Sequence, residues 1–538
     1  MLRSSALLLA CVIPHRAHAQ ATTSLLPNAT TLPSHEWRMR LLTAWTRYDA
    51  LLTDSSSSPV NVAATFNADS LGSAQLPILA PAEAAIRSLT GDPQVRLTAG
   101  RLVAAANSRV VTAPLILEYG LTRRITLGLV VPLVETRTTL YAQLNPHAGF
   151  ANVGPNPTAL GNGAAAAQNQ ALLAAIRADS SALWNQLEGC RATPSGTNCT
   201  AILAQGPSVL QSAGAFASTV TSLYGTAAGG GQAFVPLKGT ALDTAIAHHI
   251  ADLGQQFNAL INQGIDPSLG PANANGPAAN AQLNALLGQM GVDTLQSTDR
   301  SSIGDISVGA TIQLLNTFPD SAPVDAGGSA IRLAVNGAFR FGTGEPSNRN
   351  RLFDLSTGYG QSGVVAGAAA DVRLGSRLTT SILGSYTAQF GTVNVGRVPN
   401  ANNAIFPLRA ATPGTYSAGN VLQLTALPHF RLAGYLSIDG VYSLLNVGAD
   451  KFTVLPAPGA DSTAAATIPP VAPYGMPSTT AQQVGFGISY SSIVSPDRAP
   501  GGLPIEVSFQ HLETLAGSGG FVPKTFRDQI ELRIYFRR

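Results

Sequence analysis

Of the 538 residues only 11% are Asp, Glu, Lys or Arg, under half of the roughly 25% usual in globular proteins. The 32 bases and 29 acids are spread thinly, without the Lys/Arg runs that neutralise phosphates, which excludes DNA and RNA as partners. After the N-terminal region no apolar stretch approaches the roughly 18 residues of a spanning helix. A chain that hides apolar groups without long apolar runs has the profile of a transmembrane β-barrel.

Residues 1–19 read as a secretory signal peptide, with Arg3 as its positive start, an apolar run from Ala6 to Ile13, and Ala17-His18-Ala19 as the cleavage site. Leu8-Leu9-Ala10-Cys11 only loosely resembles a lipid-attachment motif, so lipidation is not expected. Loss of the signal leaves Cys190 and Cys199 as an even pair in an exported chain, a candidate disulfide.

Residues 20–94 form a Pro- and Ser-rich segment expected in the periplasm. Within it Trp37, Leu41, Trp45, Tyr48 and Leu52 recur at spacings of four, four, three and four. That spacing predicts an amphipathic helix, lying on the inner membrane surface or packed against the barrel mouth.

From Val95 the period changes to two, most clearly at Ile125, Leu127, Leu129, Val131 and Leu133. Twelve strand-like runs are predicted, at 95–103, 109–119, 124–141, 303–315, 330–342, 363–374, 377–391, 419–431, 434–448, 480–492, 503–515 and 526–538. Short links such as Gly375-Ser376 alternate with long ones such as 392–418, as periplasmic turns alternate with outer loops. The predicted fold is therefore an antiparallel outer-membrane barrel of about twelve strands. Its first strands fall in 95–141 and the rest in 303–538, and the C-terminal strand carrying Phe536 is the part read by the barrel-assembly machinery. Residues 142–302 form a helical insertion, placed outside the cell, with stripes such as Leu172, Ile176, Leu183 and Leu187. Plugged lumens belong to barrels of about 22 strands, so the insertion is expected to cap the barrel.

If the apolar face meets lipid, parity assigns the lumen Asp305, Arg332, Arg340, Asp371, Arg373, His429, Arg431, Asp439, Glu506, Glu531 and Arg533. Acids and bases interleave, which favours a salt-bridge network over an ion-selective constriction. No G-x-S-x-G or H-E-x-x-H occurs, so no catalytic, cofactor or metal site is assigned. His248 and Asp252 are read as a solvated helix face. Gly358-Tyr359-Gly360-Gln361-Ser362-Gly363 matches a dinucleotide fingerprint in letters but precedes a strand-like run, so it is read as a loop. A lipid-modifying enzyme built on His429 or His511 is a third-ranked reading.

Ile303-Gly304-Asp305-Ile306-Ser307-Val308-Gly309, Phe341-Gly342-Thr343-Gly344-Glu345-Pro346 and Asp354-Leu355-Ser356-Thr357-Gly358-Tyr359-Gly360-Gln361 resemble bacterial outer-membrane barrels. The resemblance is to transporters grouped with phenol-degradation pathways and, more distantly, to long-chain fatty-acid and aromatic-hydrocarbon channels. It covers roughly 109–141 and 303–538. It implies passive passage of small molecules, hydrophobic ones among them, with outer-membrane lipid and a small-molecule solute as partners. The helical insertion departs from that pattern, and no counterpart of the fatty-acid channels' N-terminal hatch is evident. The alternative function is a surface-display barrel whose insertion does the recognising.

Overall fold

A computed structural model describes residues 25–54, 58–147, 149–289, 291, 294–318, 328–348, 351–396, 412–454, 467–468, 477–493 and 504–536. The signal-peptide reading of residues 1–19 lies outside the described residues. Twelve strands make one antiparallel ring. They are β1 (Trp37–Tyr48), β2 (Leu102–Thr122), β3 (Ile125–Leu144), β4 (Ser307–Asn316), β5 (Ala330–Arg340) and β6 (Gly363–Leu374), followed by β7 (Leu378–Gln389), β8 (Val421–Arg431), β9 (Leu436–Val447), β10 (Thr479–Ser491), β11 (Ile505–Ser518) and β12 (Phe526–Phe536). The ring closes because β1 pairs with β2 on one side and β12 on the other.

The helix expected around Ser34–Leu52 is therefore corrected to a strand. Spacings of four satisfy a period of two as well as one of 3.6. In β1 the outward residues Trp37, Leu41 and Trp45 are exposed, while Arg38, Arg40, Leu42 and Ala44 between them are buried. A second correction concerns the runs at 95–103 and 109–119. One continuous strand covers Leu102–Thr122, and residues 95–101 are not in a strand. The count of twelve survives because the missed β1 replaces the run wrongly split from β2.

β2 and β3, at 21 and 20 residues, overshoot strands of 10 to 14 elsewhere. Their inward residues beyond the ring, Leu102, Ala104, Ala106 and Leu144, enter the molecule's main apolar core. That core is built from α1 (Ala80–Thr90), α2 (Gly163–Ala192), α3 (Cys199–Tyr224), α4 (Ala241–Ile261) and α5 (Asn280–Gln289). Ile86, Leu183, Phe216, Phe257 and Leu287 are almost wholly buried in it. Since α1 packs on α3 and α4, residues 80–90 belong to the same cap as the insertion, and the N-terminal module expected over 20–94 is not one unit.

Cys190 and Cys199 form a disulfide across the α2–α3 turn, with Cα atoms 5.2 Å apart. Replacing both with serine is expected to remove about 2–4 kcal/mol from the cap. Trypsin should then cut after Arg191 at low protease concentration while the barrel's heat-modifiable gel mobility stays the same. Cleavage no faster than in the parent chain would contradict this.

Candidate functional site

The chain before β1 turns back into the ring. Residues 25–32 run along the lumen wall as a strap. Leu25 packs against Ile116, Val130 and Ala338, and Leu26 and Ala29 lie on Ala334 and Ala369. Small side chains at 334 and 369 leave the room that the strap fills. Its backbone polar groups, removed from water, take their partners from the wall. Ala29 N donates to Asp371 Oδ2 at 3.1 Å, Leu32 N donates to Thr126 Oγ1 at 2.8 Å, and Ala29 O accepts from Gln313 Nε2 at 3.1 Å.

Two cavities of about 340 and 170 Å³ open within the ring, and Pro27 of the strap lines both. The larger brings together Arg332, Asp371, His429, Arg431, Asp439, Glu506, Glu531 and Arg533 from the sequence-assigned lumen set. Arg373 stands at the same end, its guanidinium 5.3 Å from the Phe318 ring centre, with Arg332 at 4.2 Å from that ring. Asp305 and Arg340 are placed elsewhere, near the cap, 3.7 Å apart. Asp305 does not face open lumen. It accepts backbone N–H groups of Gly344, Tyr359 and Gly360 at 2.9, 2.8 and 3.3 Å, stapling the loop segments 341–348 and 351–362 to the ring. Farther along that loop Asp354 accepts from Asn348 N at 2.6 Å and from Arg300 at 2.7 Å, and burial pushes its carboxyl above the usual carboxylate range. The 358–363 segment lies in this loop and leads into β6, with no helix after it.

An ion-pair chain crosses the seam where the ring closes. Arg38 meets Glu118 in a fork of 2.5 and 2.9 Å, and Arg40 lies 3.7 Å from Glu118 and 2.6 Å from Glu531. Glu531 also accepts from Arg533 at 2.9 Å, and Arg533 reaches Glu506 at 3.5 Å. Arg38, Arg40 and Glu118 were missed in the sequence reading. The signal was the alternation of Arg38 and Arg40 with Trp37, Met39 and Leu41, which places both arginines on the lumen side of a strand.

His429 hydrogen-bonds Asp439 at the edge of the larger cavity. His511 faces outward and bonds Asp528 at 2.7 Å and Glu513 at 3.1 Å. Ser489 contacts the carboxylate of Asp439 at 3.5 Å and does not bond the imidazole, so this group lacks the nucleophile-to-base hydrogen bond of a hydrolase.

The outer face carries the opposite chemistry. Leu133, Ile382 and Phe486 are 56%, 54% and 61% exposed, in a belt continued by Leu41, Ile312, Leu424, Ile438 and Ile530. Water would not tolerate so continuous an apolar surface around a polar interior. The chain is a transmembrane β-barrel. Aromatic residues edge its belt, with Trp37, Phe430, Tyr435, Tyr490 and Phe536 at one rim and Trp45, Phe339, Phe341, Tyr386 and Phe390 toward the cap, as interfacial girdles do.

No family model matches the sequence, and no curated protein matches it. Among solved structures the barrel is similar to an outer-membrane channel from Pseudomonas putida F1 at 10% identity, over 95% of this chain and 98% of that one, with a TM-score of 0.40. It is also similar to a FadL homologue from Pseudomonas aeruginosa, at 9% identity over 93% and 90% of the chains and a TM-score of 0.25. The toluene transporter TodX of Pseudomonas putida aligns at 11% identity over 96% and 93%, with a TM-score of 0.22.

Proposed function

We propose that the protein is an outer-membrane channel for passive passage of small molecules, hydrophobic ones among them, with the cap toward the outside and the strap occupying the pathway at rest. The observation that carries this reading is the pair of lumen cavities that both have Pro27 of the strap in their lining. A barrel serving only as an anchor has no need of such polar space beside a segment laid along its wall. The larger cavity, about 340 Å³, lies at the lower end of the roughly 300–1,000 Å³ of small-molecule sites. Phe318 and Leu427 line it beside the charged groups, giving a hydrophobic cargo apolar surface to slide along. Arg332, Arg431, Arg533 and His429 interleave with the four carboxylates of Asp371, Asp439, Glu506 and Glu531, so strong ion selectivity is not expected.

Planar-bilayer recording of the mature chain and of the same chain lacking residues 20–32 tests the proposal. The full chain should be mostly closed, and removal of the strap should give steady conductance. Silence from the strapless barrel, shown folded by its heat-modifiable mobility, would overturn the channel reading. The surface-display reading would then lead, favoured by the fact that the main apolar core lies in the cap.

A further inference from the structure

Arg527 on β12 faces the lumen from the wall of the smaller cavity and lies outside the charge network of the seam. It stands opposite Thr46 of β1 and Leu512 of β11. The lumen-side residues one step away, Tyr48, Gln510, Thr514 and Gln529, are uncharged. Asp528 and Glu513, the acids nearest along the strands, face outward, where both bond His511. Glu531 does line the cavity, but its carboxylate is shared by Arg40 and Arg533. The seam is balanced within itself, with Arg38, Arg40 and Arg533 set against Glu118, Glu531 and Glu506. Arg527 is therefore a surplus cation. Among the described residues it makes no ion pair, its Nη2 donates to Gln529 Oε1 at 2.7 Å, and its Nε is buried without an acceptor. A guanidinium carries five N–H donors, and a cation drawn out of bulk water without an anionic partner is costly.

The rest of the lining gives the shape of what would satisfy it. Leu26 of the strap, Leu383, Val441 and Leu512 bring apolar side chains to the same cavity, and Gln483 and Gln510 bring amides. The cavity holds about 170 Å³, against about 150 Å³ for one that takes up a benzene molecule, so an apolar body there is limited to about five or six carbons. One surplus positive charge matches the single negative charge of a carboxylate, whereas a phosphate monoester carries about −1.5 to −2. We propose that this cavity binds a short-chain monocarboxylate, its carboxylate paired with Arg527 and its hydrocarbon end against Leu26, Leu383 and Val441. An arginine meets a carboxylate through two parallel charge-assisted hydrogen bonds, and the glutamine amides donate to the lone pairs that the guanidinium leaves open. An inorganic anion would leave the apolar wall without a contact, and a neutral hydrocarbon would leave Arg527 without a counter-charge. The inference rests on the reading of the lumen as a solute pathway and names a class of solute for it.

The test uses the full mature chain in nonionic micelles, dialysed to equilibrium against radiolabelled hexanoate, with empty micelles as the blank. The parent chain should bind hexanoate saturably at one site. Unlabelled hexanamide, which keeps the shape without the charge, and acetate, which lacks the apolar body, should compete at least about tenfold more weakly than hexanoate. R527Q should weaken hexanoate binding at least about tenfold, R527K should recover part of the loss, and R123Q, at a turn between strands, should bind like the parent. Heat-modifiable mobility reports folding of each variant. If R527Q fails to fold, V441F, which fills the cavity and keeps the arginine, should abolish binding. Absence of saturable binding, unchanged binding in R527Q or V441F, equal competition by hexanamide, or displacement of hexanoate by inorganic phosphate at equal concentration would each overturn the proposal. Binding is read without conductance. A silent strapless barrel whose parent chain holds hexanoate would remove the pathway and keep the site, while a conducting one whose parent chain ignores hexanoate would keep the pathway and remove the site.

Discussion

Glu531→Ala is expected to destabilise the barrel by about 3–5 kcal/mol, because it removes the carboxylate that two buried guanidinium groups share and weakens the compensation of both. Glu531 accepts from Arg40 at 2.6 Å and from Arg533 at 2.9 Å, and the side chains of Arg40 and Glu531 are only 4% and 6% exposed. Without it the ion-pair contacts that remain to these two arginines are longer, Arg40 to Glu118 at 3.7 Å and Arg533 to Glu506 at 3.5 Å. Urea unfolding followed by heat-modifiable mobility should show the loss as an earlier midpoint. The double variant R40M/E531L removes both signs together, keeps Arg38 on Glu118 and Arg533 on Glu506, and should recover most of the loss, since well-packed apolar replacement of a buried pair is often neutral. A double variant as unstable as Glu531→Ala would show that the seam depends on charge itself.

Asp305→Ala should release the loop segments 341–348 and 351–362 while leaving the ring closed. Three backbone donors lose their acceptor, and each buried orphan costs about 1–3 kcal/mol before the loop relaxes. The segments around the carboxylate approach so closely that a Cβ on Gly358 would lie 2.7 Å from Asp305 Oδ1, and one on Gly344 would lie 2.6 Å from Gly358 Cα. No larger residue at either position can close the gap without moving backbone. Hydrogen exchange at Gly344, Tyr359 and Gly360 should speed up in Asp305→Ala and much less in Asp305→Asn, which keeps one carbonyl acceptor. Unchanged protection in both variants would refute the staple.

The strands that alternate without competition, such as Ile125 to Leu133, were legible because one period alone fits them. So were the cap helices, where Leu172, Ile176, Leu183 and Leu187 are buried along one stripe. β1 was misread because Trp37, Leu41 and Trp45 satisfy both periods and Tyr48 tipped the balance toward a helix. Deciding it required asking where Arg38 and Arg40 could be satisfied. Their partners Glu118 and Glu531 lie far along the chain, 80 and 491 positions away. The strap was not legible at all. Leu25, Leu26 and Ala29 show no period, and their place depends on small residues at 334 and 369, which local pattern does not connect to them. Parity sorted the lumen charges by face but gave no height, so Asp305 and Arg340 near the cap could not be separated from Arg332 and Asp371 at the other end.

Closure by β1 and β12 also sets the order in which the molecule can be made. The first barrel strand to emerge finds its second neighbour only when the last has been delivered, so through most of biogenesis the sheet carries two open edges. One of them is flanked by Trp37, Leu41 and Trp45 on its apolar side. Open edges beside exposed apolar surface are templates for pairing with other chains. The yield of finished barrels is thus set by a race between arrival of the terminal strand and edge-to-edge sticking, and chaperoning in transit matters most during that interval.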